Sequence, residues 1–532
     1  MTASDHQRLL GPGEDSAPVA STPTHAFQPC TTPDRGHVSI VDSPGEPDGS
    51  SATERALKRQ VNGEDDQRCA LQPETSMSRR RRRMTLKDEM HPLRTCLIVG
   101  MPWAAYSIFN TVFTDVRQAY MESLGISSVV PRFVPGLVTF FLGPILGAAS
   151  DRSLSKWGRR NVFMVLAAVV MTVFGLLFGA ASVLFPDYDG VTNCVLILLC
   201  VGVLLINIGL RARIMDMVPI EYQMHAQVAL AMWAGVGGVL GSLLFRNTTS
   251  VVVFASSITG HDILVAFGAS LAALLATTAV SIWLRPEHPQ DKPPFQPPIE
   301  RLVQDVWDEI VYAPMRFRLL CVVNFVLCFA WKSFQDEIFN WWGGNVFNGC
   351  KDVGCDAAAQ SDFKHGLNIA NTALITQNGF QAFMCFALLF LSPSIPNASY
   401  LKRAAVAGLA IGTCGLIAAV AVGSAWVPLA FAGFVSTAFY QAASTIFPYA
   451  VVGILGKEIQ TSAHGFNNNG LYIGVLTLFT SASELTVQLY GTEDVSPLGT
   501  GNVMALSCLL FAIGVACTAG FTFAFKTNAS AA

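Results

Sequence analysis

A cluster of charged residues lies between two long apolar runs of the sequence. The stretch GAASDRSLSKWGRRN, residues 147–161, has an aspartate, Asp151, followed by four basic residues: Arg152, Lys156, Arg159 and Arg160. Such side chains can pair with carboxylates at neighbouring helix ends, or they can fix the side of a membrane on which a loop lies. The nature of the flanking apolar runs decides which chemistry is relevant.

The composition predicts that these runs cross a membrane. Of the 532 residues, 52% are hydrophobic and 13% are charged, and the mean hydropathy is +0.44. Soluble globular domains carry about 25% charged residues. The sequence is therefore typical of a polytopic membrane protein.

Twelve apolar segments are long enough to span a bilayer, which takes roughly 20 residues. The first six lie at about 95–118, 129–149, 161–184, 193–216, 224–245 and 262–284. The second six lie at about 318–343, 367–391, 404–423, 427–454, 466–489 and 501–525. The predicted fold class is an all-α membrane protein of two six-helix bundles.

Composition shifts divide the chain further. We predict a disordered cytoplasmic tail (1–92), a first bundle (93–284), a proline-rich linker with a short amphipathic helix (285–315), a second bundle (316–526) and a short cytoplasmic tail (527–532). Arg79–Arg83 precede the first span, and the loops expected on the same side are basic, so both termini are predicted to be cytoplasmic. Asp5, Leu9 and Leu10 are similar to an acidic dileucine signal, which sorts proteins to vacuolar or lysosomal membranes. The sequence is compatible with that location and with the plasma membrane.

The loop 147–161 resembles a motif of the major facilitator superfamily. It is similar to the sucrose transporter-like, or glycoside–pentoside–hexuronide symporter, pattern G-x-x-S-D-R-x-x-S-K-W/F-G-R-R. Three later stretches resemble the same relatives: LRARIMDM, FNWWGGNVFNG with FKHGLNIANTALITQNG, and NGLYIGVLTLFTSASELTVQLYG. The resemblance covers about 95–525. It implies the major facilitator fold and a proton-coupled transporter of sucrose or a similar glucoside.

The resemblance also implies a gate. Gly147 would let two helices approach closely, and Asp151 could meet a helix N-terminus or an arginine across the interface between the halves. The other residues of the implied gate are Arg152, Gly158, Arg159, Arg160, Arg211 and Asp216. The alternative is that the basic residues only anchor the loop in the cytoplasm.

The proton carrier of the plant relatives is missing. Their aspartate in mid helix 4 corresponds to Cys200 here, eleven residues before Arg211. A carboxyl group in a low-dielectric span loses hydration, which favours its protonated form and suits it to carry a proton. The candidates are Glu484, then Asp115 and Asp336. Because Lys332 and Asp336 are four residues apart on one helix face, we expect them to pair, and this makes Glu484 the better candidate.

A sugar site needs aromatic planes and amides around a wet cavity near the midplane. The candidates are Trp331, Gln335, Asn340, Trp341, Gln377, Asn378 and Asn110, with the first three as the favoured cluster. Each of these amides could instead hold neighbouring helices together. The helix 7 acid of the relatives is replaced by Asn340.

Two cysteines stand apart from the others in a polar loop. If the loop is outside the cell or in a lumen, Cys350 and Cys355 can form a disulfide; otherwise they are two free thiols. No cysteine or histidine spacing predicts a metal site, and no phosphate-binding glycine loop predicts an ATP-driven pump. We therefore expect a non-enzyme without a cofactor or metal, in the lipid bilayer, with sugar and H⁺ as partners and no nucleic acid.

Other functions remain open at this point. The missing helix 4 acid permits an uncoupled facilitator, and the altered substrate residues permit another small organic solute. A non-transporting sugar sensor on the same fold is the alternative from another class. The family resemblance also implies a monomer.

Overall fold

The computed structural model describes residues 86–127, 129–186, 188–245, 260–287, 301–351, 354–391, 398–463, 468–490 and 500–524. These residues form helices and connecting turns, with no strand among them. The dileucine stretch, Arg79–Arg83, residues 288–300 of the linker and the tail 527–532 lie outside the described residues.

The first half contains eight α-helices among the described residues. They are α1 (Leu86–Gly100), α2 (Pro102–Ser123), α3 (Val129–Asp151), α4 (Arg159–Gly179), α5 (Ala181–Leu184), α6 (Asp189–Met217), α7 (Gln223–Phe245) and α8 (Gly260–Leu284). Pro102 is the first residue of α2, where its missing N–H costs nothing, and the first span continues from α1 through Met101 into α2.

The second half contains a further eight. They are α9 (Leu302–Tyr312), α10 (Met315–Asn340), α11 (Ala357–Leu391), α12 (Ala398–Val422), α13 (Val427–Ser436), α14 (Ala438–Ala463), α15 (Asn469–Tyr490) and α16 (Thr500–Ala524). α10 continues as a π-helical segment to Val346. α11 begins ten residues before the predicted apolar segment at 367, because the polar stretch 357–366 continues the helix beyond the apolar part.

Among the described residues, twelve segments are long and apolar enough to cross a membrane. The first runs from Pro92 to Thr114, and the last from Gly501 to Ala524. The predicted all-α membrane class and the twelve spans are confirmed. The chain is an integral, multi-pass membrane protein.

Glycines let the two halves of the chain touch closely. α3 packs along α15, and α7 packs along α11 and α14. A Cβ atom on Gly147 would lie 2.2 Å from the Gly470 carbonyl oxygen, and one on Gly474 would lie 2.4 Å from that of Gly143. Only a residue without a side chain allows this backbone approach, which gives helices in lipid their dispersion contacts.

The linker ends in a short surface helix, α9. Val306 is buried, whereas Trp307 is 66% exposed. α9 packs against α3. An amphipathic helix in this part of the linker is the structure that the sequence predicts.

Substitution of Gly474 tests the close contact between α3 and α15. We expect Gly474→Ala to lower the apparent Tm of the detergent-purified protein, because the added methyl group overlaps the Gly143 backbone and overpacking costs about 1–3 kcal/mol. Gly520→Ala in α16 is the matched control, since a Cβ there has no neighbour within 4 Å. Equal melting curves for the two variants would contradict the contact.

Candidate functional site

The sequence motif 147–161 folds into a turn between α3 and α4. Asp151 is the last residue of α3, and Arg159 is the first residue of α4. Gly158 precedes α4 with φ +93°, a conformation that favours glycine over residues with a side chain. The turn therefore brings the aspartate at the end of one span next to the arginines at the start of the next.

Arg160 is fully buried at the centre of a charge cluster. Its guanidinium donates to the carboxylate of Asp151 and to the Ser150 hydroxyl, and its Nε lies 2.8 Å from Asp216 Oδ2. Nη2 of Arg159 lies 2.7 Å from the same oxygen. A buried charge is costly unless it is paired and hydrogen-bonded, and two arginines with two aspartates meet that requirement.

The same aspartates reach across to the second half of the chain. Asp151 accepts the backbone N–H groups of Gly470 (3.0 Å) and Leu471 (2.8 Å), in the first turn of α15. Asn469 donates from Nδ2 to Asp216 Oδ1 at 2.9 Å. The first N–H groups of a helix have no intrahelical acceptor, and the helix dipole favours negative charge there. The charge cluster, defined as Asp151, Arg159, Arg160, Asp216 and Asn469, thus joins the two halves at one face.

Glu287 supports this cluster. Its Oε2 accepts the backbone N–H groups of Arg160 (2.9 Å) and Asn161 (3.2 Å) at the start of α4. The sequence analysis missed this residue, because Glu287 is 127 residues from Arg160 in the chain and no local pattern connects the two. Arg213, also missed, donates to the Ser281 hydroxyl (2.8 Å) and to the Arg285 carbonyl oxygen (2.6 Å) at the end of α8.

The structure brings together most of the implied gate residues but places Arg211 elsewhere. Gly147 lies at the contact with α15, and Arg152 is half-buried in the turn. Arg211 is on α6, more than one turn before Asp216, and its hydrogen bonds go to Asn207 and Gln227. Arg211 is therefore not a member of the charge cluster, although it lies on the same helix as Asp216.

Arg211 forms a second centre between the halves. Its guanidinium carbon lies 4.5 Å from the ring centroid of Trp103 on α2 and 3.5 Å from that of Tyr449 on α14. Its Nε donates to Asn207 Oδ1 (3.3 Å), and its Nη1 donates to Gln227 Oε1 (3.1 Å). We name these five residues the arginine pocket. Arg211 is buried, with 4% of its surface exposed.

The sequence contained only part of the signal for this pocket. An arginine within an apolar span predicts a functional site. Trp103, Tyr449 and Gln227 come from three other helices, however, and no local spacing connects them to Arg211. Gln227 belongs to the pocket through its contact with Arg211.

The acidic residues of α10 and α15 pair differently from the expectation. The expected partner of Lys332 was Asp336, but its described ion pair is with Glu484, at 3.6 Å from Nζ to Oε1. Asp336 accepts a hydrogen bond from Gln488 Nε2 at 3.0 Å. A pairing across two helices replaces the one within a helix, so Glu484 is not an isolated acid. Asp115 is in α2, and its side chain lies outside the described residues.

The described residues that were expected to bind a sugar make different contacts within the chain. Trp331 stacks with Tyr440 at 6.5 Å between ring centroids, beside Phe511, inside the second half. Asn340 donates to Glu337, one turn earlier on the same helix (3.3 Å). Trp341 is buried against Trp342.

The expected amides serve mainly as contacts between helices. Gln377 is buried and donates to the Thr437 hydroxyl at 2.9 Å. Asn378 packs against Gly238 at the contact of α7 and α11. A Cβ atom on Gly238 would lie 2.7 Å from the Asn378 side chain. Asn110 and Gln335 are half-buried. The alternative of helix packing therefore describes Gln377 and Asn378 best.

The polar loop after α10 carries the two cysteines that stand apart in the sequence. Cys350 and Cys355 are joined by a disulfide, with their Cα atoms 6.2 Å apart. No group of three or more histidine, cysteine, aspartate or glutamate side chains that could hold a metal occurs in the described part of the chain.

Sequence comparisons find relatives that are named as transporters. The family described as MFS/sugar transport protein matches residues 98–324. The general alpha-glucoside permease of Schizosaccharomyces pombe is 26% identical over 42% of this chain and 43% of its own length. The sucrose transport protein SUC4 of Arabidopsis thaliana is 22% identical over 45% of this chain and 52% of its own length. The chain therefore matches about half, or less, of each of these two relatives.

Solved structures share the fold. The fucose transporter FucP, in the outward conformation, has a TM-score of 0.54 at 11% identity, over 81% of this chain and 99% of its own. The proton:xylose symporter XylE has a TM-score of 0.54 at 14% identity, over 82% and 96%. Identities this low show the fold alone. The chain thus has the fold of these transporters, and its residues 98–324 are similar to the family described as MFS/sugar transport protein.

Proposed function

We propose that this protein is a secondary transporter that moves a sugar, sucrose or a related glucoside, across a membrane by alternating access. The observation that carries the proposal is the charge cluster, in which Asp151 and Asp216 of the first half hold the N-terminus of α15 in the second half. Such contacts close one face of the molecule. They can break and re-form as the halves rock, because ion pairs and helix-end hydrogen bonds are discrete.

The basic loops support a cytoplasmic position for this face. Arg152, Lys156 and the other loop residues follow the positive-inside rule, so both termini are cytoplasmic in our proposal. The membrane is the plasma membrane or the vacuolar or lysosomal membrane, and the working unit is a monomer.

The arginine pocket is our proposed substrate site. It lies between the halves, where rocking exposes it to either side in turn, and it offers guanidinium and amide donors beside aromatic rings. This assignment replaces the favoured cluster of Trp331, Gln335 and Asn340, because Trp331 packs against Tyr440 and Asn340 donates to Glu337.

Proton coupling is part of the proposal, with Glu484 as the first candidate carrier and Asp115 and Asp336 after it. Because the ion pair with Lys332 favours the ionised form of Glu484, its role as a carrier requires that this pair opens during the transport cycle. An uncoupled facilitator is the second candidate, and the thiol of Cys200 at the position of the relatives' acid favours it.

Uptake by reconstituted vesicles tests the function. Purified protein in proteoliposomes is given radiolabelled sucrose, maltose, a polyol and a nucleoside, with and without an inward pH gradient. We expect saturable uptake of at least one glucoside and its accumulation above equilibrium with the gradient. Uptake without accumulation indicates the facilitator, and saturable binding without flux indicates a sensor.

Substitution of Asp151 separates a gate from simple charge anchoring. We expect Asp151→Asn to reduce uptake about tenfold or more, because breaking a buried ion pair costs about 3–5 kcal/mol. Lys156→Gln, in the same loop but exposed, is the control and should leave uptake unchanged. If both variants lose uptake equally, or neither does, the loop acts only as an anchor.

Substitution of Glu484 tests the coupling. We expect Glu484→Gln to abolish accumulation driven by the pH gradient while sparing exchange of labelled for unlabelled sugar, because an amide cannot carry the proton. Glu337→Gln is the matched control, since Glu337 is bonded to Asn340 on its own helix. Unchanged accumulation in Glu484→Gln would remove this assignment.

A further inference from the structure

One exposed side of α9 is apolar, although α9 does not cross the membrane. Val303, Trp307 and Val311 are 64%, 66% and 44% exposed. They recur every four residues, so they form one stripe along the helix, which we name the α9 stripe. At a rise of about 1.5 Å per residue, the eleven residues of α9 reach only about half of the roughly 30 Å hydrocarbon thickness. An exposed apolar stripe on a helix outside the spans indicates a surface that binds a membrane or another protein.

A different side of α9 packs onto the protein. Leu302, Val306 and Ile310 pack into the hydrophobic core, and α9 as a whole packs against α3. Each residue of the α9 stripe directly follows one of these three, so the stripe lies beside the covered side and continues it. Gln304 and Asp308 are exposed on the side of the helix away from the core. The apolar part of α9 is therefore wider than the part that the protein covers.

The course of the chain holds α9 close to the end of a span. α9 ends at Tyr312, and the seventh span begins at Met315, the first residue of α10. Three steps of the chain extend over at most about 11 Å, so the end of α9 lies within that distance of the start of the span. In the first turn of α10, the ring centroid of Phe317 lies 4.8 Å from that of Tyr472 in the first turn of α15. This end of the span is therefore on the face that carries the charge cluster.

The residues around the stripe have the chemistry of a membrane interface. Trp307 and Tyr312 are exposed, and they are of the two residue types that are enriched at the level of lipid headgroups. Arg301, just before α9, and Arg318, in the first turn of α10, are exposed as well. An arginine at this level can bind a lipid phosphate while its apolar stem stays on apolar surface. An interfacial helix needs such an apolar side, polar residues on the other side and basic or aromatic residues at the boundary, and α9 has all three.

We propose that the α9 stripe docks into the lipid leaflet on the side of the charge cluster, with Trp307 at the boundary between headgroups and acyl chains. The partner is the lipid surface itself, and the side of Gln304 and Asp308 faces water. The buried side of α9 packs on α3 of the first half, and its C-terminus leads into α10 of the second half. Docking thus fixes to the bilayer the part of the chain that connects the two halves.

Difference fluorescence of Trp307 tests the docking in the full-length protein. The protein and its Trp307→Phe variant are reconstituted into phosphatidylcholine bilayers with bromine, a short-range quencher, either just below the headgroups or at the ends of the acyl chains. The difference between the two emission spectra isolates Trp307 from the other tryptophans, of which the chain has nine in all. We expect Trp307 to lose about half or more of its emission with bromine just below the headgroups, and less with bromine at the chain ends, because an interfacial helix is buried only about 5–10 Å.

Acrylamide, a quencher dissolved in water, completes the measurement. We expect it to quench Trp307 weakly in the bilayer. Strong quenching by acrylamide without quenching by bromine would show that the stripe lies in water, and the proposal would be wrong. Emission that neither reagent quenches would show that a protein surface, from this chain or from a second copy, covers the stripe, and it would overturn the proposal as well.

Variants on the two exposed sides of α9 locate the effect. Val303→Ser combined with Val311→Ser should lower the quenching of Trp307 by bromine and raise its quenching by acrylamide, because the stripe loses apolar area. Gln304→Ser combined with Asp308→Ser is the matched control on the polar side, and it should not lower the quenching by bromine. Each pair is measured with and without Trp307→Phe. An equal loss of quenching by bromine in the two pairs would contradict docking through the stripe.

Discussion

The structure depends on how a charge is tolerated among apolar helices. Arg160 is fully buried, and it is stable there because Asp151 and Asp216 surround it and because those aspartates also bind the first turn of α15. In a low-dielectric environment a buried ion is costly unless it is paired and hydrogen-bonded. Separation of α15 would leave the aspartates short of donors.

The same requirement explains the rest of the interface. Glycines at positions 143, 147, 470 and 474 bring α3 and α15 close enough for Asp151 to reach the backbone N–H groups of α15. Lys332 and Glu484 satisfy each other across α10 and α15. Arg211 differs from both, since its described contacts are with the amides of Asn207 and Gln227 and the rings of Trp103 and Tyr449.

Local patterns predicted the elements well, because a helix in lipid must bond its own backbone and must be apolar over the bilayer thickness. The twelve spans, the basic turn 147–161 and the amphipathic helix after the proline-rich linker follow from this constraint. Four of the five members of the charge cluster were also predictable, since Asp151, Arg159, Arg160 and Asp216 lie in recognisable motifs at helix ends. Asn469, the partner of Lys332 and the members of the arginine pocket were not, because they depend on which helices are neighbours and how each is rotated.

The sequence by itself determined the number of spans, the class of fold and the residues at the turn between α3 and α4, because these depend on hydrophobicity, helix length and local charge. Tertiary structure alone decided that Arg211 lies with Trp103 and Tyr449 and not in the predicted gate. It also decided that Lys332 pairs with Glu484 and not with Asp336. Side chains far apart in the chain meet only after the helices pack, and the rotation of each helix is set by the sum of its contacts, which no local pattern contains.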